Sequence, residues 1–165
     1  MIIRKAKAGD ALWTAKINVA GWHAAYKGLV PDNFLAKMQV TEKRISRFQE
    51  IILNKKNICL VAELNGQVIG YLFGGKNKEN ARIPFEYEVY GLYIDPAFQR
   101  QGAGRLLLQH FRKKVKNAPF FLHAMKGNAK AMTFYTKVGG CRMPEYDIDM
   151  SWGDVTRRVE AFLFQ

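Results

Sequence analysis

A chain of 165 residues that is 48% hydrophobic and 13% aromatic has enough apolar material for one folded core without disulfides. Lys and Arg number 26 against 14 Asp and Glu, a formal net charge of +12, which fits nucleic acid, an anionic cofactor, acidic substrates or simple solubility. No apolar run approaches the ~18 residues of a membrane span, and the opening MIIRKAKAGD lacks the apolar stretch of a secretory signal. Cys59 and Cys141 stand in no CxxC spacing and no HxxxH occurs, so no metal site is expected. These features predict a single cytoplasmic domain over 1–165.

In chain order, Ile2 to Ala6 reads as a strand, and Gly9-Asp10 as a turn whose Asp10 can N-cap the next helix. That helix runs from Ala11 to about Ala25, with Leu12, Ala15, Ile17 and Val19 as its apolar positions, and Gly28 and Pro31 punctuate the stretch after it. A second amphipathic helix follows Thr41, carrying Ile45, Phe48, Ile51 and Ile52 on one stripe. The runs 58–63 and 68–73 flank Asn65-Gly66, and Asn-Gly between two β-rich runs signals a hairpin because both residues tolerate positive φ. Cys59, inside the first run, reads as a small core residue. The polar stretch Lys76 to Arg82 reads as a loop.

Phe85 to Ile94 is a long aromatic and β-branched run ended by Asp95-Pro96. From Gly104 to Val115, Leu107, Leu108, Phe111 and Val115 line one face of a helix, with Arg112, Lys113 and Lys114 on its solvated side. Residues 120–124 form the next strand. Ala131, Phe134, Tyr135 and Val138 then repeat at helical spacing until Gly139-Gly140. The remainder reads as two strands around a Trp152-Gly153-Asp154 turn. The fold class is α/β (α+β): a mixed, mostly antiparallel sheet of about six to seven strands flanked by about four helices.

Between the Phe85–Ile94 run and its following helix lies the loop Gln99-Arg100-Gln101-Gly102-Ala103-Gly104. Gly102 and Gly104 let backbone approach a ligand, and N–H groups at a helix N-terminus favour an anion such as a pyrophosphate. Arg100 and Arg105 add charge there. A Walker A loop needs GK[ST], but Gly104 is followed by Arg105-Leu106. A GxGxxG fingerprint needs a third glycine or alanine where Leu107 stands, and no acidic residue ends the next strand.

The segment LYIDPAFQRQGAG resembles the cofactor signature of the GCN5-related N-acetyltransferases, with Gln99, Gly102 and Gly104 at its defining positions. A second family element, N-x-x-A-x-x-F-Y-x-x-x-G, is similar to Asn128, Ala131, Phe134, Tyr135 and Gly139. The element order matches the family, and IRKAKAGD and Trp22–Tyr26 resemble its N-terminal region, so the resemblance spans nearly the whole chain. It departs at Gly140, where the family usually has an aromatic.

The resemblance implies acetyl-CoA as cosubstrate and an amine as acceptor. The backbone of Leu92, Tyr93 and Ile94 would pair with the pantetheine arm, and one N–H there would polarise the thioester carbonyl. Amides from Gln99 through Arg105, with Arg100, Gln101, Gly102, Ala103 and Gly104 between them, would hold the pyrophosphate. Asn128 would meet the cofactor arm and Tyr135 would lie beside its sulfur. Homodimers are common in the family, and a homodimer is consistent with the resemblance.

An amine attacks only as the neutral base, yet alkyl amines have pKa values near ~10, so a group must accept its proton. Glu88 is the candidate base, because residues 88–94 resemble the family's strand with an acidic residue six positions before its end, with Glu86 or a water as competitors. On an unbulged strand Glu88, Tyr90, Leu92 and Ile94 share one face. Tyr135 is the candidate acid that protonates the leaving thiolate. His123 is placed to line the site, His23 lies in the segment where the acceptor binds in the family, and His110 reads as surface. A non-catalytic acyl-CoA-binding module is the alternative. A nucleic-acid binder has less support, since no RNP-like motif is visible. The amine's identity is not encoded in any signature, although the positive charge disfavours polycations.

Overall fold

The structure is a computed structural model that describes residues 1–77 and 83–165. β1 (Ile2–Lys5) leads through a 3-10 turn into α1 (Ala11–Tyr26), α2 (Asp32–Ala36) and α3 (Glu42–Leu53). A meander comes next: β2 (Asn57–Leu64), β3 (Gln67–Lys76) and β4 (Tyr87–Ile94). Then come α4 (Ala103–Lys114), β5 (Phe120–Met125), α5 (Ala129–Lys137), β6 (Cys141–Arg142), β7 (Ile148–Trp152) and β8 (Val155–Phe164). The strands form one sheet in the order β1-β2-β3-β4-β5-β8-β6, with β7 also on β8. Among the described strands, only β4 and β5 pair in parallel. The mixed, mostly antiparallel architecture expected from the sequence is present, with eight strands and five helices among the described residues.

Local chemistry accounts for the elements that were legible. Asn65 and Gly66 turn the β2–β3 hairpin with φ of 50° and 80°. Thr41 caps α3 by accepting a hydrogen bond from the Arg44 N–H at 3.2 Å. The two added elements, α2 with five residues and β6 with two, are too short to carry a periodic signal. Of the expected Lys76–Arg82 loop, Lys76 ends β3 and residues 78–82 lie outside the described residues.

α1 and α3 cover one face of the sheet, where Ile17 and Ile52 meet Cys59, Val61, Val68, Tyr71 and Phe73. α4 and α5 cover the other, where Leu107, Phe111 and Tyr135 meet Leu60, Leu72, Val89, Leu122, Phe162 and Phe164. Cys59 is a core residue as expected, and burial pushes its thiol up to about 12. On α1, Leu12 is exposed, and the buried stripe includes the polar or small residues Thr14, Asn18 and Gly21. Among the described residues, no helix is long and apolar enough to cross a membrane.

Asp10 does not cap α1 with its side chain. Its carboxylate instead accepts from the Arg4 guanidinium at 2.7 and 2.9 Å and from the Lys7 N–H at 2.7 Å, tying β1 to the start of α1. Burial opposes ionisation of Asp10, but Arg4 and the Lys7 amide outweigh it and hold the carboxyl below its ordinary value. A lowered carboxylate pKa contributes stability above the unfolded-state value, about 3.9, and that stability is lost as pH falls through the folded-state value. Asp10→Asn is therefore expected to cost about 1–3 kcal/mol near neutral pH. Denaturant melts at pH 7 and pH 3 check this: the gap between the two proteins should shrink at the lower pH.

Candidate acyl-transfer site

The site begins with a defect in strand pairing. β4 and β5 are in register only from Tyr87–Phe120 to Val89–Leu122. β4 continues to Ile94 and β5 to Met125 without further pairing between them, while β5 stays paired with β8 on its other edge from Phe120 to Met125. Leu92, Tyr93 and Ile94 therefore have no strand neighbour on their β5 side among the described residues. Such an open backbone edge is a template for an added extended ligand.

β4 is also bulged. Phe73 lies opposite Gly91 and Gly74 opposite Val89, so β4 carries one extra residue, Tyr90. The expected common face of Glu88, Tyr90, Leu92 and Ile94 does not exist. Glu88, opposite Gly75, falls on the α1/α3 face with Tyr93, whereas Leu92 and Ile94 pack on the α4 face. Tyr90 stays on the Glu88 side: a Cβ on Gly75 would meet its hydroxyl at 2.9 Å. Glu88 is 8% exposed. Glu86, its competitor, is at the surface and pairs with Lys76 at 3.1 Å.

At the end of β4 the chain forms the expected loop. Asp95 accepts from the Ala97 N–H at 3.0 Å and starts a short 3-10 turn over Pro96–Phe98. Arg100 and Gly102 then take positive φ, 64° and 86°, and α4 begins with Gly102 as its N-cap and no side-chain cap. Left-handed residues just before a helix curl successive N–H groups toward one point, which makes an anion cradle. Gln99, Arg100, Gln101, Gly102 and Arg105 are exposed, so the cradle faces solvent. Its residues fit a pyrophosphate.

The two glycines of this loop also serve different ends in the fold. Gly102 supplies the left-handed turn and has open space around it. Gly104 is buried, and a Cβ there would meet Phe134 Cζ at 2.9 Å. Its missing side chain lets α5 lie against α4.

α5 brings in the remaining residues. Asn128 caps it, its side-chain carbonyl accepting from the Ala131 N–H at 3.2 Å. Tyr135 is 8% exposed and packs beside Phe162 and Phe164, with ring centroids 5.6 and 6.4 Å away. Phe164 stacks in parallel on Phe120 at 5.0 Å. A Cβ on Gly140 would meet Phe164 Cζ at 2.8 Å, so Phe164 fills the space beside Gly140 where the family usually has an aromatic. Burial, and then the nearby Tyr26 hydroxyl, push the Tyr135 phenol well above its ordinary value.

The histidines take other partners. His123 Nε2 lies 3.1 Å from the Tyr146 carbonyl, on the Glu88 face of β5. His110 is half-buried rather than exposed, its Nδ1 2.9 Å from the Leu106 carbonyl within α4. His23 Nε2 lies 3.0 Å from the Met38 carbonyl. His23 also lines a cleft of about 420 Å³ with Lys27, Asp32 and Leu35. Among the described residues, no group of three His, Cys, Asp or Glu is placed to hold a metal.

Sequence patterning alone does not reveal the partner of Tyr93. Its side chain turns toward α1, and its hydroxyl lies 3.3 Å from that of Tyr26. Gly21 makes room: a Cβ there would meet Tyr93 Cδ1 at 2.5 Å. A glycine inside a helix costs about 1 kcal/mol relative to alanine, and that cost was the available signal of a close approach.

Residues 22–140 match the model of the Acetyltransferase (GNAT) family. The chain is 30% identical over 92 residues to the N-alpha-acetyltransferase RimI of Mycobacterium tuberculosis, covering 56% of this chain and 57% of that protein. It is 29% identical over 123 residues to the uncharacterized N-acetyltransferase YuaI of Bacillus subtilis, covering 73% and 64%. The matched stretches thus span less than two thirds of these relatives' own length. Among solved structures, PaiA N-acetyltransferase of Thermoplasma acidophilum in complex with coenzyme A superposes with a TM-score of 0.75. Its identity is 19%, with 97% of this chain and 96% of that chain covered. YncA of Salmonella typhimurium, a protein solved with acetyl-CoA, gives a TM-score of 0.70 at 19% identity, covering 100% and 93%.

Proposed function

Because this chain belongs to the GNAT family of acetyltransferases, we propose that it moves an acetyl group from acetyl-CoA to a primary amine by direct attack. The observation that carries this reading is the open backbone edge of Leu92–Ile94 running into the Gln99–Arg105 cradle. Tyr135, on α5, has its phenol near those of Tyr26 and Tyr93, which supports its role beside this edge. Acetyl-CoA, when bound, supplies an acetyl group activated as a thioester.

The chain's residues do the rest. Leu92–Ile94 hydrogen-bond the extended arm, one N–H at this strand's end stabilises charge on the carbonyl oxygen, and the cradle with Arg100 and Arg105 holds the pyrophosphate. Asn128, its carbonyl engaged in the α5 cap, contacts the arm through its amide group. Glu88 accepts the proton of the attacking amine, directly or through water, and Tyr135 donates its phenolic proton to the departing sulfur. A buried phenol with a raised pKa is a weak acid, but a thiolate released into the same dry space is a stronger base than in water. The burial that pushes the Cys59 thiol up to about 12 illustrates the effect.

The RimI relative is named an N-alpha-acetyltransferase, which supports including protein α-amines among the acceptors. The test is a panel of alaninamide, a short peptide amine, lysine, phenethylamine and spermidine with acetyl-CoA, followed by free-thiol release and product mass. Amine-dependent thiol release with a gain of one acetyl group is expected. Binding of acetyl-CoA with no amine-dependent release would leave only the non-catalytic module.

The cradle has its own test. Ala at position 102 would hold a left-handed conformation at a cost of about 1–2 kcal/mol. Gly102→Ala is expected to weaken acetyl-CoA binding about tenfold, as read by calorimetric titration.

A further inference from the structure

The contact between the Tyr26 and Tyr93 hydroxyls is given no role in the steps above, yet considerable structure is devoted to it. Tyr93 belongs to the part of β4 beyond its parting from β5, and its side chain is on the same sheet face as Glu88. Its ring fits the groove left by Gly21 and stacks on Tyr71 with centroids 5.7 Å apart. Tyr71 is held in turn by the Asn18 amide, which donates to its hydroxyl at 2.9 Å, and Arg44 donates to the Asn18 carbonyl at 2.9 Å. From α1, Tyr26 packs edge-on against Trp22 at 4.5 Å, and the two phenol oxygens meet at 3.3 Å. Both tyrosines keep partial exposure as residues.

We propose that the Tyr26–Tyr93 hydroxyl pair positions the acceptor amine for attack; the inference rests on the acetyltransferase reading. Burial pushes both phenols above their ordinary value, so they stay neutral at working pH and do not serve as the base. When one phenol donates to the other, the pair still presents an acceptor oxygen and one O–H. An incoming amine keeps N–H bonds that need an acceptor while its lone pair is aimed at the carbonyl carbon. A phenol oxygen braced by a second tyrosine and by α1 fixes that direction, and Glu88, on the same face but four residues away in the β3 register, takes the proton through water. Orientation of this kind acts on the amine's half of the reaction and leaves the acetyl-CoA half untouched.

The experiment compares wild type, Tyr26→Phe, Tyr93→Phe and the double variant, using the fastest amine of the panel above. Each single variant is expected to lower kcat/KM for the amine about tenfold. The double variant should fall little further, because the two hydroxyls act as one unit. The acetyl-CoA Kd should stay within about twofold of wild type, and the acid-side midpoint of the pH–rate profile, set by the base, should not move. A pair that only fastens α1 to β4 gives a lower Tm with an unchanged amine kcat/KM, and that result overturns the inference. So do multiplicative losses in the double variant. Wild-type turnover with unaltered variants overturns the pair alone; absence of wild-type turnover with every amine overturns the acetyltransferase reading and the pair with it.

Discussion

Tyr135→Phe is expected to lower turnover by about 10²-fold or more while leaving the acetyl-CoA Kd within about twofold of wild type. The substitution removes one oxygen from a ring that is 8% exposed and packed by Phe162 and Phe164. Phe keeps those contacts, so the fold and the cofactor groove should survive. What is lost is the one proton at this position, and a general acid contributes typically about 10²–10⁴-fold. The raised pKa of the phenol keeps that proton in place across the working range. Pre-steady-state thiol release and calorimetric titration together check this. An unchanged rate would remove Tyr135 from the chemistry and reduce it to a core aromatic.

Phe164→Ala should have the largest effect on stability, about 3–5 kcal/mol, the usual cost of truncating a buried aromatic. Phe164 is 4% exposed, stacks on Phe120, touches Tyr135 and occupies the space beside Gly140. For a chain of this length such a loss lowers Tm by about 10 °C or more. Phe164→Leu, which keeps most of the volume, should cost much less, and the comparison of the two melts separates a cavity from a general intolerance of change. Activity lost by Phe164→Ala at a temperature where the variant is still folded would mean that Phe164 also holds Tyr135 in place.

Residues whose behaviour is set locally were legible from the sequence. Asn65-Gly66 takes positive φ because those two residue types can, and the α3 stripe and the Thr41 cap arise from spacing and side-chain chemistry alone. The Gln99–Gly104 loop was legible for the same reason: glycine before a helix, with no GK[ST], narrows the anion. What was missed depends on partners distant in the chain. The bulge at Tyr90 exists only in the register with β3, and nothing in FEYEVYGLYI marks it. The packing role of Gly104 is invisible until α5 is laid across it and Phe134 takes the space of its missing side chain. Tyr93 reads as backbone until α1 docks through Gly21 and brings Tyr26 to its hydroxyl. Asp10 has the sequence of a helix cap, but Arg4, brought close by β1, binds its carboxylate instead.

The most direct measurement is a titration of the ¹⁵N-labelled protein with acetyl-CoA, read at each backbone amide. The largest shifts are expected at Leu92–Ile94 and at Gln99–Arg105, with a further shift at the Asn128 side-chain amide and little change along α3. Shifts confined to the cleft around His23 and Asp32, with the 92–105 amides unmoved, would contradict the assignment of this edge and loop as the acyl-CoA site.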